Sequence, residues 1–115
     1  MLSWIEAGLE PAMRQKRLSQ WIGLSGRSYH LATQNLRDFI LEGADLYLIA
    51  RGNTVLWVGC GLDLVAEPAI RLKFRKALSR ADGVFRLPRP DVDGERLSII
   101  ADLEGAVPAP LDQAA

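Results

Sequence analysis

Three cations at helical spacing are the residues of this chain best placed to act together. Lys73, Lys76 and Arg80 recur at intervals of three and four residues, so on a helix they form one positive ridge. Such a ridge can lie along a phosphate backbone and bind nucleic acid in a salt-dependent, sequence-tolerant way. A solvated helix face, whose long side chains cover the edge of an apolar stripe, explains the same pattern. The sequence leaves both interpretations open.

Charge is distributed unevenly along a chain whose formal net charge is zero. Residues 71–89 hold seven basic residues and one acidic residue, whereas residues 90–115 hold six acidic residues and one basic residue. One interpretation is that the two segments neutralise each other on the folded surface. The other is a basic binding face shielded by an acidic tail. The zero net charge supplies no overall attraction to nucleic acid or to an anionic membrane.

Other chemistry has little support. Cys60 and His30 are each the single residue of their type, so an internal disulfide and a zinc site built from them are excluded. We expect a buried, inert Cys60 rather than a Cys60–His30 catalytic pair. Residues 91–95 (DVDGE) lack the remaining ligands of a calcium loop, and no glycine-rich phosphate-binding motif is present. The sequence therefore predicts no catalytic residue, no metal site and no cofactor.

The chain carries no sign of a membrane or export signal. No apolar run approaches the roughly 20 residues that a membrane span needs. The N-terminus contains Glu6 and Glu10 and lacks the basic start of a signal peptide. We expect a cytoplasmic protein without a membrane partner.

Length and composition predict one domain. The chain has 115 residues, of which 49% are apolar, enough for one hydrophobic core. We predict a compact domain over residues 1–104, with a helical N-terminal segment at 1–26 and a flexible C-terminal tail at 105–115.

A hairpin is the strongest structural signal. Residues 45–51 and 54–60 form two apolar runs joined by Gly52-Asn53, which predicts a type II′ turn with Gly52 at positive φ. That turn pairs Arg51 with Thr54. Regular alternation would then pair Leu48 with Trp57 and put the two side chains on the same face of the sheet. Because both faces are apolar, we expect the hairpin to be central in the sheet and covered on both sides.

The remaining pattern completes an α+β fold. Strands are predicted at 27–33, 84–87 and 96–101, a helical turn at 35–42, and a helix that opens at Glu67-Pro68 and runs to about Ala81. The sum is an antiparallel sheet of about four or five strands with two or three helices packed on it.

The hairpin and the helix that follows resemble the GIY-YIG endonuclease module. Leu46-Tyr47 stands at the end of the first signature, Trp57-Val58-Gly59 stands at the second, and Arg71 lies on the following helix. The resemblance implies a nuclease-like fold in which Arg71 would be the catalytic arginine. Asp45 replaces the first glycine of the family's signature, and Trp57 replaces its second tyrosine. The sequence offers no clear match for the family's metal-binding glutamate, because Glu95 and Glu104 do not lie on a predicted helix.

Two functional hypotheses follow. The first is a non-catalytic domain that acts through protein contacts, with a homodimer as one form. Its candidate anchors are Trp4, Trp21 and the outward-facing Leu72. The alternative is a nucleic-acid-binding module that resembles a degenerate relative of the GIY-YIG nucleases. It would bind through the positive ridge formed by Lys73, Lys76 and Arg80. Core packing of both tryptophans is the competing explanation for the first hypothesis.

Overall fold

The computed structural model describes residues 17–41, 43–90 and 94–110. The described strands are β1 (Leu18–Ile22), β2 (Ser28–Gln34), β3 (Leu46–Arg51), β4 (Thr54–Gly59), β5 (Gly83–Leu87) and β6 (Val107–Pro108). The described helices are α1 (Gly61–Ala66), α2 (Pro68–Arg80) and α3 (Glu95–Glu104). No helix within these ranges is both long and apolar enough to cross a membrane.

All six strands form one antiparallel sheet in the order β4-β3-β5-β2-β1-β6. The predicted α+β class is confirmed, with six strands rather than four or five. The hairpin is central only through β3, because β4 lies at one edge of the sheet. Helices cover both faces of the hairpin, as predicted. The two apolar faces of β4 are explained by these helices and do not imply a neighbouring strand on its outer side.

The two faces of the sheet carry two separate apolar clusters. On one face, α3 inserts Ile99 and Leu103 against a core that includes Trp21, Leu31 and Leu48. The other face is covered by α2, and its cluster contains Tyr47, Ile49, Trp57, Ala77 and Val84. The sheet therefore lies between α2 and α3.

The hairpin turn follows the prediction, but its pairing shifts by one residue. Gly52 has φ +58°, no described non-glycine residue has positive φ, and Arg51 pairs with Thr54. A β-bulge then leaves Leu56 out of the ladder, so Trp57 pairs with Ile49. The bulge adds one residue to β4 alone. The predicted pairing of Leu48 with Trp57 is therefore wrong: Leu48 faces α3, whereas Trp57 faces α2.

The N-terminal part of the described chain is a strand rather than a helix. Residues 18–22 pair with β2 along their whole length and with β6 at their end. The predicted tail likewise enters the sheet, since Val107–Pro108 pair with β1 and the Ala109 N–H donates to the Gln20 carbonyl at 2.9 Å. Ladder hydrogen bonds on both sides of β1 outweigh its loose helical periodicity. Residues 1–16, with the predicted anchor Trp4, and residues 111–115 lie outside the described part.

The remaining elements divide into confirmed predictions and corrections. The strands predicted at 27–33 and 84–87 are confirmed as β2 and β5, and the predicted helix is confirmed as α2, with Pro68 as its first residue. Residues 96–101, predicted as a strand, belong to α3. Ile99 and Leu103, four residues apart, are the buried residues of this helix, so its core contact follows the helical period. Residues 36–38 form a turn without a helix.

Candidate binding groove

A groove of about 620 Å³ lies along β4, the edge strand of the described sheet, between α2 and α3. We call it the β4 groove. Its floor is the strand segment 55–58, and its two walls come from the two helices. The α2 wall presents Lys73, Lys76 and Arg80, and the α3 wall presents Leu97, Ile100 and Glu104. The groove thus has an apolar floor, one basic wall and one mainly apolar wall.

The basic wall results from how α2 packs. Phe74, Ala77 and Leu78 lie in the cluster beneath the helix, and the Phe74 ring meets Trp57 edge-on at a centroid distance of 4.8 Å. Because the apolar stripe faces the sheet, the flank that carries the cations overhangs β4. On the opposite flank, Arg71 donates a hydrogen bond to the Leu64 carbonyl at 2.7 Å.

The three cations of the α2 wall are exposed and are not neutralised within the described structure. The ion pairs of the described residues join Arg86 to Asp45 and Arg96 to Asp63, at 2.7 Å and 3.0 Å. Neither pair involves Lys73, Lys76 or Arg80. Within the described ranges, therefore, no ion pair joins the basic segment to the acidic residues of the α3 wall.

A carboxylate outside the groove anchors α3. Asp102 accepts hydrogen bonds from the Ser25 N–H at 2.7 Å, the Ser25 hydroxyl at 2.8 Å and the Tyr29 hydroxyl at 2.7 Å. The Tyr29 hydrogen bond, followed by those from Ser25, lowers the pKa of Asp102. A side chain at Gly23 would collide with this carboxylate. Asp102 thus ties α3 to β2 and to the turn before it, and Leu97 on the same helix is 67% exposed and lines the groove.

Asp63, one of the residues that line the groove, belongs to a polar cluster with Cys60 and Arg96. The Asp63 carboxylate accepts from the Cys60 N–H at 3.1 Å, the Cys60 thiol at 3.4 Å and Arg96 Nη1 at 3.0 Å. Burial opposes ionisation of Asp63, but these hydrogen bonds outweigh burial, and its pKa is lowered. The hydrogen bond to Asp63 in turn raises the pKa of Arg96. The cluster is a structural tie between α1 and α3.

Asp63→Asn should lower the free energy of unfolding by about 1–2 kcal/mol at neutral pH, because it removes the charge that Arg96 faces. The native pKa of Asp63 is lowered, so the unfolded state binds its proton more readily than the native state does. The stabilisation is therefore present above the ordinary aspartate range and is lost as the pH falls through the native pKa. Urea unfolding at a series of pH values measures this difference. The exposed Asp38→Asn is the control, and a gap between wild type and Asp63→Asn that stays constant down to acid pH would contradict the role.

Cys60 and His30 do not form a site. Cys60 is fully buried after β4, whereas His30 is exposed on β2, from which β4 is separated by β3 and β5. Within the described ranges, no three His, Cys, Asp or Glu side chains are grouped so that they could hold a metal ion.

The residues that carry the GIY-YIG resemblance all make structural contacts. Tyr47 is fully buried, and its hydroxyl donates to the Ile40 carbonyl at 3.0 Å. Trp57 packs against Phe74, and a Cβ on Gly59 would lie 2.7 Å from the Trp57 ring. Arg71 is held by the Leu64 carbonyl. The aromatic-Val-Gly sequence thus has a packing explanation, because the glycine leaves room for the tryptophan two residues before it.

The structure separates the residues that the sequence proposed for binding. Lys73, Lys76 and Arg80 come together on one wall. Leu72 is 54% exposed on α2 but does not line the groove, and Trp21 is 2% exposed in the core. Sequence reasoning missed the α3 wall, since residues 96–101 were assigned to a strand. The signal that could have revealed the α3 wall is the spacing of Leu97 and Ile100. Residues three apart lie on the same face of a helix.

Comparison with protein-family models, with curated proteins and with solved structures found no match to this chain.

Proposed function

We propose that this domain is a protein-interaction module that binds an extended segment of a partner protein along β4. The observation that carries the proposal is the β4 groove, in which β4, an edge strand among the described residues, lies between two helices. Alternate residues of an edge strand direct their N–H and C=O groups away from the sheet, so an added strand can pair with them. The helices on either side then supply contacts to side chains on both faces of the added strand.

A second copy of the chain is a poorer occupant than a different protein. Two copies that paired through β4 would form a continuous antiparallel sheet, related by a two-fold axis perpendicular to it. The α2 helices would then lie side by side on one face. This arrangement would bring Lys73, Lys76 and Arg80 towards their own copies, and like charges placed opposite each other are destabilising.

Nucleic acid is the alternative, and it is favoured by the three unneutralised cations of the α2 wall. The rest of the groove fits it less well. The floor is apolar, and the α3 wall contributes Leu97, Ile100 and the acidic Glu104. A phosphate backbone gains little from these residues, whereas an apolar side chain of a bound strand gains from their burial.

Leu97→Glu should weaken binding of a partner peptide about tenfold or more, because it puts a charge on the apolar wall where a bound side chain would be buried. Leu72→Glu is the matched control. Leu72 is an exposed leucine on α2 that does not line the groove, so its replacement should leave the affinity unchanged. Peptides of about ten residues, enough to pair with one strand, would be selected from a random displayed library on the wild-type domain. Titration calorimetry then gives the affinity of each variant.

Hydrogen exchange tests the mode of binding. In the complex, those amides of Thr54–Gly59 that point away from β3 should gain protection, because an added strand pairs with the outer side of β4. Selected peptides that protect a different surface, or that lose affinity in Leu72→Glu but not in Leu97→Glu, would contradict the proposal. A concentration-dependent dimer that Leu97→Glu dissociates would make a second copy the occupant instead.

A further inference from the structure

Resting on the proposed function, we propose that the strand bound in the β4 groove alternates acidic and apolar side chains. Successive side chains of a strand point to opposite faces of the sheet. In the groove, one face is bordered by the cations of α2 and the other by Leu97 and Ile100 of α3. The α2 wall therefore favours acidic side chains at alternate positions of the bound segment, and the α3 wall favours apolar side chains at the positions between them.

The packing of the β4 side chains indicates which face of an added strand would lie towards α2 and which towards α3. Leu56 and Trp57 pack on the α2 side, and Val55 and Val58 pack on the α3 side. On either side of the bulge at Leu56, a strand paired to β4 continues the same two faces past the edge. Its side chains on the first face extend towards Lys73, Lys76 and Arg80, and those on the second face extend towards Leu97 and Ile100.

The length of the basic wall determines how many acidic side chains of a bound strand it can contact. Lys73 and Arg80 are seven residues apart on a helix, which corresponds to about 10 Å along its axis. Residues on the same face of a strand are spaced by about 6.7 Å. The wall is therefore long enough for two or three carboxylates separated by one residue each, given the reach of lysine and arginine side chains.

The carboxylates that line the groove do not satisfy the basic wall. Asp63 is held by Arg96 at 3.0 Å. Glu104, on the α3 wall, takes part in neither of the ion pairs of the described residues. The positive charge of the α2 wall is thus left for an incoming segment, and this charge sets the sign of the partner residues.

Capped synthetic peptides of about nine residues, close to the upper length of ordinary strands, test the alternation directly. The first alternates glutamate and valine, the second alternates glutamine and valine, and the third has the composition of the first with its glutamates grouped at one end. The wild-type domain should bind the first peptide at least about tenfold more tightly than the other two, because only the first offers carboxylates to α2 and valines to α3. Raising the salt concentration should weaken the complex with the first peptide and leave binding of the glutamine–valine peptide nearly unchanged.

A charge-reversed variant tests whether the preference for acidic peptides depends on the charge of the α2 wall. The variant Lys73→Glu/Lys76→Glu/Arg80→Glu should lose the glutamate–valine peptide and gain a peptide that alternates lysine and valine, since the wall has changed sign. Arg75→Glu, which alters charge on the same helix outside the groove, should keep the wild-type preference. Because the change in net charge alone could attract a lysine-rich peptide, the lysine–valine peptide must also protect the outward-facing amides of β4 from hydrogen exchange in this variant.

The outcomes separate this inference from the proposed function. Equal binding of the glutamine and glutamate peptides, with both still lost in Leu97→Glu, contradicts the acidic alternation and leaves strand addition standing. Failure of every peptide to protect β4 from hydrogen exchange contradicts both. Tight binding of a labelled oligonucleotide of about 20 nucleotides, lost in the charge-reversed variant while no peptide is preferred, overturns both in favour of nucleic acid.

Discussion

Trp57→Ala should lower the free energy of unfolding by about 3–5 kcal/mol, the usual cost of deleting a buried large aromatic side chain. Trp57 is 8% exposed and joins β4 to α2 through its contact with Phe74. Its loss would empty the space between the edge strand and the helix that carries the basic wall. Chemical denaturation followed by far-ultraviolet circular dichroism measures the change without relying on tryptophan fluorescence.

Gly59→Ala should also destabilise the fold, by about 1–3 kcal/mol, because the added Cβ would lie 2.7 Å from the Trp57 ring. Gly59 has no positive φ, so the cost is steric rather than conformational. In a Trp57→Ala background the same substitution should cost much less, since the ring it strikes is gone. Gly94→Ala, whose added Cβ meets no atom within 4 Å, is the control. Additive costs in the double variant would show that Gly59 is needed for another reason.

The second large effect concerns Trp21. Trp21→Ala should cost about 3–5 kcal/mol, because the side chain is 2% exposed and packs against Phe85 at a ring-centroid distance of 5.4 Å. Trp21→Phe should cost much less. The indole N–H of Trp21 is buried and finds no acceptor in the described structure, so replacing it removes an unpaired donor as well as some volume.

Leu72→Ala is the control for Trp21, because an exposed side chain of this kind changes the free energy of unfolding by less than about 0.5 kcal/mol. Both variants would be compared by denaturant unfolding at neutral pH. A Trp21→Ala variant as stable as Leu72→Ala would place Trp21 outside the core and restore it as a candidate anchor for a partner. A Trp21→Phe loss equal to that of Trp21→Ala would show that the indole N–H has a partner.

Local signals predicted the elements that local chemistry decides. Gly52-Asn53 specified the hairpin turn, because a glycine at positive φ matches the twist of the paired strands. Pro68 and the apolar period of residues 70–81 specified α2. The exposure of Leu72 and the common flank of Lys73, Lys76 and Arg80 followed from that same period.

Two segments whose structure depends on distant partners were assigned wrongly. Residues 96–101 have both a strand-like alternation and a helical period, and packing of Ile99 and Leu103 on the sheet decides for the helix. Residues 18–22 become a strand because β2 and β6 pair with them from opposite sides. Neither partner can be recognised from the segment itself, so tertiary context overrides weak local preference.

The candidate site shows the same division. By itself, the sequence determined an apolar hairpin and a helix with a positive flank, because these patterns arise from neighbouring residues. Only the tertiary structure decided that β4 is an edge, that a bulge at Leu56 turns Trp57 towards α2, and that Leu97 lies across the groove from the cations. The physical reason is that strand order and helix placement depend on contacts between residues far apart in the chain, and those contacts leave little trace in any one segment.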